Sequence, residues 1–398
     1  MEHKTRIKGN VHYVGVNDRN KHRFEGMWPL PYGVSYNSYL IDDEMVALVD
    51  TVDICYFEVY LRKIKQVIGE RPINYLIINH MEPDHSGSIR LIKQHYPEII
   101  IVGNKQTFGM IEGFYGVTGE QYLVKEGDFL ALGHHKLRFY MTPMVHWPET
   151  MMTFDETDGV LFSGDGFGCF GTVDGGFLDT RINVDKYWGE MVRYYSNIVG
   201  KYGSPVQKAL QKLGGLPISA ICSTHGPVWT ENIARVIGIY DRLSRYDADE
   251  GVVIAYGSMY GNTEQMAEAI AEELSAQGIK NIVMHNVAKS HPSYIIADIF
   301  RYKGLIIGSP TYSNQIFPEV ESLLSKILVR EVKGRYLGYF GSFAWAGAAV
   351  KRMAEFAEKS KFELVGDPVE MKQAMRDITY TQCENLAHAM AERLKKDR

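Results

Sequence analysis

Cysteine is scarce in this sequence and never occurs in close pairs. The four cysteines, Cys55, Cys169, Cys222 and Cys383, are far apart and form no C-x-x-C motif. This spacing excludes a zinc or single-iron site built only from thiolates of this chain. We expect reduced, mostly buried thiols, as in a cytoplasmic protein.

Long apolar runs and a basic excess are also absent. No stretch approaches the roughly 18 to 20 apolar residues of a membrane span, and residues 1–10 lack the apolar core of an export signal. The 43 Lys and Arg residues against 48 Asp and Glu residues give a formal net charge of −5. This balance argues against nucleic acid or an anionic membrane as a partner. We therefore expect a soluble cytoplasmic protein.

The second half of the chain alternates strand-like and helix-like segments. Apolar runs at 252–256, 282–287, 304–308 and 336–341 are each followed by polar turn residues and a helical pattern, the first of these at 264–278. Strands that alternate with helices predict a doubly wound parallel sheet.

The first half has a different pattern. Residues 36–41 and 45–50 resemble a hairpin, 56–68 a helix, and 75–79 a buried strand that leads into a histidine-rich turn. This half is predicted to be a mixed α/β sandwich.

A polar segment without periodicity, 244–251, separates the two halves and is predicted to be a linker. A chain of 398 residues is long enough for two domains. We expect one domain at 1–249 and the other at 250–398.

The strongest single feature is the block from residue 80 to 85, which reads His-Met-Glu-Pro-Asp-His. It offers His80, Glu82, Asp84 and His85 as ligands at the end of a strand. Alternation in an extended turn is expected to send His80, Glu82 and Asp84 to one side. Two carboxylates and two imidazoles on one turn are electrostatically costly without a cation, so the block predicts a metal site.

Three further candidates, His146, Asp165 and His225, follow predicted strands or lie in loops. A lone residue such as His225 is usually structural. Seven ligands are too many for one ion, whereas two ions with Asp165 between them use all seven. The predicted sets are His80, Glu82 and His146 on one ion, and Asp84, His85 and His225 on the other.

The sandwich and the H-x-[E/H]-x-D-H block resemble the metallo-β-lactamase superfamily, whose members are mostly zinc hydrolases. Here Glu82 occupies the slot that is usually histidine. A carboxylate in place of a neutral imidazole hardens the site and shifts its preference from zinc towards iron or manganese. This residue favours redox chemistry over hydrolysis.

A hydroxyl-rich turn between a predicted strand and helix suggests a phosphate site in the second half. It has no Walker lysine and no G-x-G-x-x-G, which disfavours nucleoside triphosphates and dinucleotides. The turn consists of Ser258, Met259, Tyr260, Gly261, Asn262 and Thr263.

Two later turns are predicted at the same edge of the sheet, where such folds bind ligands. Tyr312 or Trp345 is expected to cover a flavin ring and Asn314 to bond its edge, although Trp345 alone equally fits a core position. The three turns together resemble a flavodoxin with FMN as the ligand. The later turns contribute Ser309, Pro310, Thr311, Tyr312 and Asn314, then Ser342, Phe343, Ala344, Trp345, Ala346 and Gly347.

With both constellations in this order, the chain resembles the flavodiiron proteins over nearly its whole length. The resemblance implies an N-terminal metallo-β-lactamase-like αββα sandwich with two non-haem iron ions, in the two ligand sets given above, followed by a flavodoxin-like domain with FMN. It also implies reduction of O2, of nitric oxide, or of both. The implied assembly is a head-to-tail homodimer, alone or as a dimer of dimers. Because the sequence carries no rubredoxin-like cysteine pairs, we expect a separate donor such as rubredoxin.

Two residues are assigned catalytic roles by this resemblance. Where many members have a histidine beside the iron pocket, this chain has Glu25, either a proton relay or a solvated carboxylate. Tyr195 matches a tyrosine close to the metal ligands, or is a packed aromatic.

Two other interpretations remain open at this level. One is a zinc hydrolase fused to a flavodoxin-like electron carrier. The other is a flavin-binding carrier with a vestigial metal site, against which the intact set of seven ligands argues.

Overall fold

The computed structural model describes residues 4–398. Met1, Glu2 and His3, which begin the stretch predicted to carry no export signal, lie outside the described residues. The chain divides into two compact units: one comprises the chain through Tyr195 together with Tyr202–Ser244, and the other Ser196–Lys201 together with Arg245–Arg398. Within the described part, no helix has both the length and the apolar character needed to span a membrane.

The strands of the first unit are β1 (Arg6–Lys8), β2 (Val11–Tyr13), β3 (Val16–Asp18), β4 (Arg23–Phe24), β5 (Trp28–Pro29), β6 (Val34–Tyr36), β7 (Tyr39–Ile41), β8 (Ala47–Val49), β9 (Tyr75–Ile77), β10 (Ile100–Gly103), β11 (Gln121–Leu123), β12 (Phe129–Ala131), β13 (Lys136–Met141), β14 (Met151–Asp155), β15 (Val160–Gly164) and β16 (Ala220–Ser223). Its helices are α1 (Phe57–Ile68), α2 (Pro83–Ser86), α3 (Ile89–His95), α4 (Lys105–Tyr115), α5 (Asp185–Tyr194), α6 (Gly203–Leu213) and α7 (Ile233–Ser244). Short 3₁₀ turns lie at Ile54–Tyr56 and Gly200–Tyr202, and a π-helical turn at Tyr195–Val199.

Two sheets of the first unit enclose one core. Their strand orders are β1-β2-β7-β8-β9-β10-β11 and β12-β13-β14-β15-β16. Tyr39 and Val49 from the first sheet and Phe139 and Phe162 from the second belong to the same buried cluster. Apolar residues on the facing sides of the two sheets form this core, as in other two-sheet sandwiches. The predicted hairpin is confirmed, since β7 pairs with β8 in antiparallel register.

The second unit is a parallel sheet flanked by helices. Its strands are β17 (Asp249–Tyr256), β18 (Ile282–Asn286), β19 (Tyr302–Tyr312), β20 (Gln315–Ile316), β21 (Tyr336–Phe343), β22 (Glu363–Leu364) and β23 (Val369–Lys372). Its helices are α8 (Asn262–Ala276), α9 (Pro292–Arg301), α10 (Pro318–Val329), α11 (Ala349–Ser360) and α12 (Asp377–Lys395). The order β18-β17-β19-β21-β22, with β23 also on β21, is the flavodoxin-like order in which ligands bind at the carboxyl ends of the strands. The predicted fold class is therefore confirmed.

The linker prediction for 244–251 is wrong at both ends. Ser244 still belongs to α7, and β17 already begins at Asp249, which pairs with Tyr302. The polar residues at the start of β17 are stabilised by specific contacts, because the Asn281 side chain donates to the Glu250 carbonyl at 2.8 Å. The charged residues Asp249 and Glu250 at the start of β17 therefore made this strand end look like a linker in the sequence.

A buried histidine in the hairpin between β12 and β13 makes stability depend on pH. Burial lowers the pKa of His135, but the hydrogen bond and the charge of Asp155 outweigh it and raise this pKa above its ordinary value. His135 Nδ1 lies 2.9 Å from Asp155 Oδ2. A raised folded-state pKa contributes stability that is complete below the unfolded pKa of about 6.5 and is lost as the pH rises through the folded pKa.

Asp155→Asn should therefore destabilise the protein by about 1 to 3 kcal/mol at pH 6 and by clearly less at pH 9. Urea unfolding followed at both pH values measures this difference. The exposed substitution Asp128→Asn is the control and should show little effect at either pH. An equal loss for Asp155→Asn at both pH values would contradict the assignment.

Candidate metal centre and flavin pocket

The candidate metal ligands lie where strands of the two packed sheets end. His80 follows β9, Asp165 follows β15 and His225 follows β16, while His146 lies in the loop between β13 and β14. Strand ends on facing sheets bring residues that are distant in sequence to one place. All seven candidate side chains are buried, with relative exposures from 0% to 9%.

One group of ligand atoms surrounds the Oδ2 atom of Asp165. His146 Nε2 lies 3.0 Å from this oxygen and His80 Nε2 lies 3.6 Å from it. The two imidazole nitrogens are 3.4 Å apart. Glu82 Oε2 is 3.2 Å from His146 Nε2 and 3.8 Å from His80 Nε2. These four side chains therefore converge on one point.

The second group surrounds the other oxygen of the same carboxylate. His85 Nε2 and His225 Nε2 lie 3.1 Å and 3.5 Å from Asp165 Oδ1. Asp84 is 3.5 Å from His85 through Oδ1 and 3.3 Å from His225 through Oδ2. Asp165 thus presents one oxygen to each group.

These spacings fit metal ions. Two ligand atoms about 2.1 Å from one ion, at angles of about 90° to 110°, lie roughly 3.0 to 3.5 Å apart. Within residues 4–398, both carboxylate oxygens of Asp84 and the Nε2 atoms of His85 and His225 have no hydrogen-bond partner. His85 lies near both groups, and its 3.1 Å contact with Asp165 Oδ1 assigns it to the second.

The electrostatics of the site also call for a cation. Burial, and then the charge of Asp84, raise the pKa of Glu82 to about 7. Burial opposes protonation of His85, yet Asp84 and Asp165 raise its pKa to about 10. Uncompensated acids and bases of this kind are costly inside a protein, and a bound cation relieves the repulsion between the carboxylates.

The predicted side for Asp84 is wrong. Pro83 occupies the first position of the short helix α2, for which its fixed φ is suited, so the block does not remain extended. Asp84 and His85 therefore turn towards the second group, whereas His80 and Glu82 stay with the first.

The carboxyl ends of β17, β19 and β21 border a cavity of about 740 Å³, within the size range of cofactor sites. Tyr312 and Trp345 stand at it with 47% and 84% of their surface exposed, which excludes the core position for Trp345. Flat exposed rings at a cavity suit a stacked aromatic ligand. The predicted residues that line this cavity are Met259, Tyr260, Asn262, Pro310, Thr311, Tyr312, Asn314, Ser342, Phe343, Ala344, Trp345 and Ala346.

The other predicted flavin residues, Ser258, Gly261, Thr263, Ser309 and Gly347, do not line this cavity but belong to the same turns. Ser258 Oγ accepts a hydrogen bond from the backbone N–H of Gly261. Gly261 has a φ of 90° and lies immediately before the first turn of α8. Thr263 Oγ1 lies 2.8 Å from Ser342 Oγ. Ser309 accepts from the Phe317 backbone. A β-carbon on Gly347 would lie 2.4 Å from Glu370 Oε1, so this turn packs closely.

Comparison with known proteins identifies the two halves separately and together. The model of the ODP family beta lactamase matches residues 34–226, and the flavodoxin model matches 254–385. The anaerobic nitric oxide reductase flavorubredoxin of Vibrio vulnificus (strain YJ016) is 33% identical over 368 residues, which cover 90% of this chain and 73% of that protein. The chain belongs to the flavodiiron protein family.

Solved structures agree with this membership. The rubredoxin oxygen:oxidoreductase from Desulfovibrio gigas has a TM-score of 0.95 at 31% identity and covers 98% of both chains. The flavodiiron protein from Giardia intestinalis has a TM-score of 0.92 at 26% identity and covers 97% of this chain and 95% of its own. Flavodiiron proteins are oxidoreductases that carry FMN and a non-haem diiron site, and the two sites described above fit these groups.

In this flavodiiron protein, Glu25 lies at the wall of a cavity beside the metal centre. The cavity has a volume of about 490 Å³ and also contacts Glu82 and Asp84. Glu25 is exposed, and its Oε2 accepts a hydrogen bond from Trp28 Nε1 at 2.9 Å. Its role as a proton relay stays a prediction.

Two adjacent tyrosines, Tyr194 and Tyr195, lie at the end of α5 and the start of the π-helical turn. Tyr195 packs edge-on against Tyr240 with ring centroids 5.0 Å apart. The Tyr194 ring lies 5.7 Å from that of His225. Burial, then the charge of Asp165, raise the pKa of Tyr194 well above its ordinary value. The predicted role of Tyr195 remains untested, and its geometry favours the packed-aromatic interpretation.

Sequence reasoning missed residues that orient the ligands. Glu149 Oε1 lies 2.7 Å from His80 Nδ1 and accepts from the Met81 backbone at 2.8 Å. The Ser35 carbonyl lies 2.8 Å from His225 Nδ1, and Thr224 donates a hydrogen bond to Asp165. Such contacts fix imidazole orientation and raise ligand basicity. Only the proximity of Glu149 to His146 in the sequence could have indicated one of them.

The flavin cavity also has lining residues that the sequence did not predict. Gln373 and Ala374 follow β23 and line its wall. The predicted turn at 309–314 is partly wrong, because β19 continues to Tyr312 and folds back on β20. Ser313 and Asn314 have positive φ values of 48° and 58°, as a tight hairpin loop requires.

Trp345→Ala should weaken FMN binding about tenfold, because it removes a stacking surface from the cavity. Titration of the chain into FMN, followed by flavin fluorescence, measures the affinity. Tyr380→Ala removes another exposed aromatic of the same unit that does not line the cavity, and should leave the affinity unchanged. Equal affinities for Trp345→Ala and the unaltered protein would show that the ring does not cover the flavin.

Proposed function

We propose that this chain reduces O2 to water, nitric oxide to nitrous oxide, or both, using electrons that reach a diiron site through FMN from a separate reduced carrier such as rubredoxin. The observation that carries the proposal is the division of the Asp165 carboxylate, whose two oxygens face two ligand groups. The proposed ligand sets are His80, Glu82 and His146 for one iron and Asp84, His85 and His225 for the other, with Asp165 shared.

The chemistry follows from the two groups that the residues would hold. An iron pair delivers electrons jointly to a small bound oxidant, and FMN accepts electrons singly and passes on two in succession. The residues of this chain form the cavity in which the small oxidant would bind. Glu82 and Asp84 face a cavity whose wall includes Phe24 and Phe114, so a small uncharged molecule meets an apolar wall beside the site.

The names of the relatives support the substrate class. One relative is an anaerobic nitric oxide reductase and another protein of the same fold is a rubredoxin oxygen:oxidoreductase. Both use small oxidants, and the second name includes the proposed donor.

The proposal assigns one task to each domain. Residues 1–249 form the diiron domain and residues 250–398 the FMN domain. The FMN phosphate would lie at the loop 258–263, where the first turn of α8 offers backbone N–H groups. The flavin ring would lie between the turns that contain Tyr312 and Trp345.

We also propose that the protein acts in the cytoplasm as a head-to-tail homodimer, alone or as a dimer of dimers, in which the flavin of one chain serves the iron pair of the other. Dilution that separates the dimer should abolish turnover while both cofactors stay bound. Full turnover by monomers would rule out transfer between chains.

The direct test of function is anaerobic consumption of nitric oxide measured beside consumption of O2, with one reduced rubredoxin as donor for both. We expect catalytic turnover with at least one oxidant and no release of peroxide or superoxide. Zinc in place of iron, together with esterase or thioesterase activity, would instead establish the hydrolase. Slow reoxidation with release of peroxide or superoxide would indicate a mere electron carrier.

A further inference from the structure

Lys21 lies at the wall of the cavity beside the metal centre. The lining of this cavity includes Lys21 and Asp53 as well as Glu82 and Asp84. The Lys21 side chain is 31% exposed and that of Asp53 is 18% exposed. Lys21 therefore touches both the cavity and solvent, which a residue that supplies protons to a buried reaction must do.

The position of this ammonium is fixed by several contacts. Lys21 Nζ donates to Tyr36 Oη at 2.9 Å and to Asp53 Oδ2 at 3.2 Å, and it lies 5.3 Å from the centre of the Tyr36 ring. The backbone N–H groups of Asn20 and Lys21 both donate to Asp18 Oδ1 at 2.9 Å, which holds the turn. An ammonium has three N–H bonds, and these two acceptors use two of them. Among the described residues, these are the acceptors recorded for the Lys21 ammonium, which leaves it one further N–H bond to donate.

Tyr36 connects this lysine to the metal centre. Its side chain is fully buried, and its ring lies 6.0 Å from the ring of His225. Asp53, on the other side, accepts from the Cys55 backbone at 3.0 Å and begins the 3₁₀ turn. Lys21 thus lies between a buried phenol beside a proposed iron ligand and a carboxylate that reaches water.

The reaction in the proposed function has to be supplied with protons. Reduction of one O2 to two water molecules consumes four protons and four electrons, and reduction of two nitric oxide molecules to nitrous oxide and water consumes two of each. The electrons come from the reduced carrier protein. The seven ligands are committed to metal, so the protons must come from other groups at the cavity.

We propose that Lys21 is the proton donor to the substrate oxygen in this cavity, with Asp53 returning protons to it from solvent. In each transfer the Lys21 N–H bond breaks and an O–H bond forms on the substrate. The neutral amine then takes a proton from water through Asp53. The other ionisable groups around the cavity are Glu25, Glu82, Asp84, Arg90 and Tyr115, with Asp18 on the loop of Lys21. This proposal rests on the proposed function.

Two substitutions of Lys21 distinguish the effect of its positive charge from its ability to transfer a proton. Lys21→Met keeps the length of the side chain and removes the ammonium. Lys21→Arg keeps a positive charge and N–H donors, but a guanidinium does not give up its proton in a protein. The matched control is Lys186→Met, because Lys186 also pairs with an aspartate, Asp174, lies 4.8 Å from the ring of Tyr187, and is 28% exposed, but does not line the cavity.

The first readout is binding of azide to the oxidised, FMN- and iron-loaded protein, followed by its visible absorption. Lys21→Met should weaken azide binding about tenfold, since it removes a charge-assisted hydrogen bond. Lys21→Arg should stay within about threefold of the unaltered protein, and Lys186→Met should be unchanged. Normal azide affinity in Lys21→Met would show that the lysine does not reach a ligand in the cavity, and would overturn the proposal.

The second readout is turnover with O2 and with nitric oxide, in H2O and in D2O. Both Lys21 variants should lose about 100-fold in kcat, as expected when a general acid is removed, with a larger solvent isotope effect and with normal iron and FMN content. Asp53→Asn should lower kcat about tenfold and leave azide binding intact, whereas Asp174→Asn should change neither. Wild-type turnover by Lys21→Arg would reduce Lys21 to a source of charge and overturn the proposal.

Two other outcomes, loss of iron in Lys21→Met and failure of the proposed function, can be told apart from failure of the proposal for Lys21. If Lys21→Met loses its iron, Lys21→Gln provides the same comparison with a polar side chain, and the same criteria apply to it. If the unaltered protein reduces neither O2 nor nitric oxide, the proposed function fails and with it the role of Lys21 in turnover. Azide binding then still decides whether its N–H group reaches a ligand in the cavity.

Discussion

Asp165→Asn should deprive the protein of iron and lower turnover about 1,000-fold, the loss expected when several kcal/mol of metal-based stabilisation disappear. Asp165 Oδ2 lies 3.0 Å from His146 Nε2, and Oδ1 lies 3.1 Å from His85 Nε2. An asparagine offers one oxygen and one NH2 group, and the NH2 group cannot bind a cation. The substitution also removes the negative charge between two positive ions. At least one ion therefore loses a ligand, and the remaining ion cannot act as half of a pair.

Iron content by elemental analysis and turnover with reduced donor measure this effect. Asp155→Asn is the matched control, because Asp155 is equally buried and also hydrogen-bonds a histidine, but lies at His135 rather than at the metal centre. It should keep its iron even though it is less stable. Two irons and near-normal turnover in Asp165→Asn would show that the carboxylate does not link the two ions.

Glu82→His should convert the first ion site from iron towards zinc and abolish reductase activity. Glu82 Oε2 lies 3.2 Å from His146 Nε2, so a histidine here would give that ion three imidazoles and the shared Asp165 carboxylate. This set is softer and carries one negative charge less, which favours zinc over iron in a higher oxidation state. We expect a loss of about 100-fold or more in turnover, since zinc transfers no electrons.

Metal analysis of protein produced with equal iron and zinc supply tests this substitution. Glu25→His places a histidine elsewhere on the same cavity wall and should leave the iron content unchanged. If Glu82→His retained two irons and full activity, Glu82 would not determine the metal preference. The presence of Glu82 in place of the usual histidine would then give no reason to favour redox chemistry over hydrolysis.

That several of the candidate ligands meet was predictable, because these residues lie close to strand ends that the apolar pattern reveals. His80, Asp165 and His225 each follow a short buried strand, so their meeting required only that the strands pack in two sheets. The order of strands in the second unit was predictable for the same reason, since strands alternating with helices have few favourable arrangements.

The sequence could not show which of the adjacent residues Tyr194 and Tyr195 lies beside the candidate metal ligands. Successive residues in a helix are rotated by about 100°, so two neighbouring tyrosines meet different surroundings. Tyr194 ends α5 and lies beside His225, whereas Tyr195 begins a π-helical turn and packs on Tyr240. The rotation of this helix depends on its packing, which the local sequence does not specify.

The contacts that orient the candidate ligands, and the short strand β23, could not be predicted from the sequence either. Glu149 reaches His80 across a separation of 69 residues. The strand β23 has only four residues, with alternate residues buried, and it brings Gln373 to the flavin cavity. Both depend on long-range packing, and neither carries a spacing that marks its role.

We propose that seven side chains hold two iron ions that share Asp165. Mössbauer spectroscopy of protein purified from cells grown with 57Fe, with the iron counted per chain, tests it most directly. We expect about two high-spin irons per chain, magnetically coupled through the shared carboxylate. Uncoupled single iron, or a centre filled by zinc despite ample iron, would contradict it.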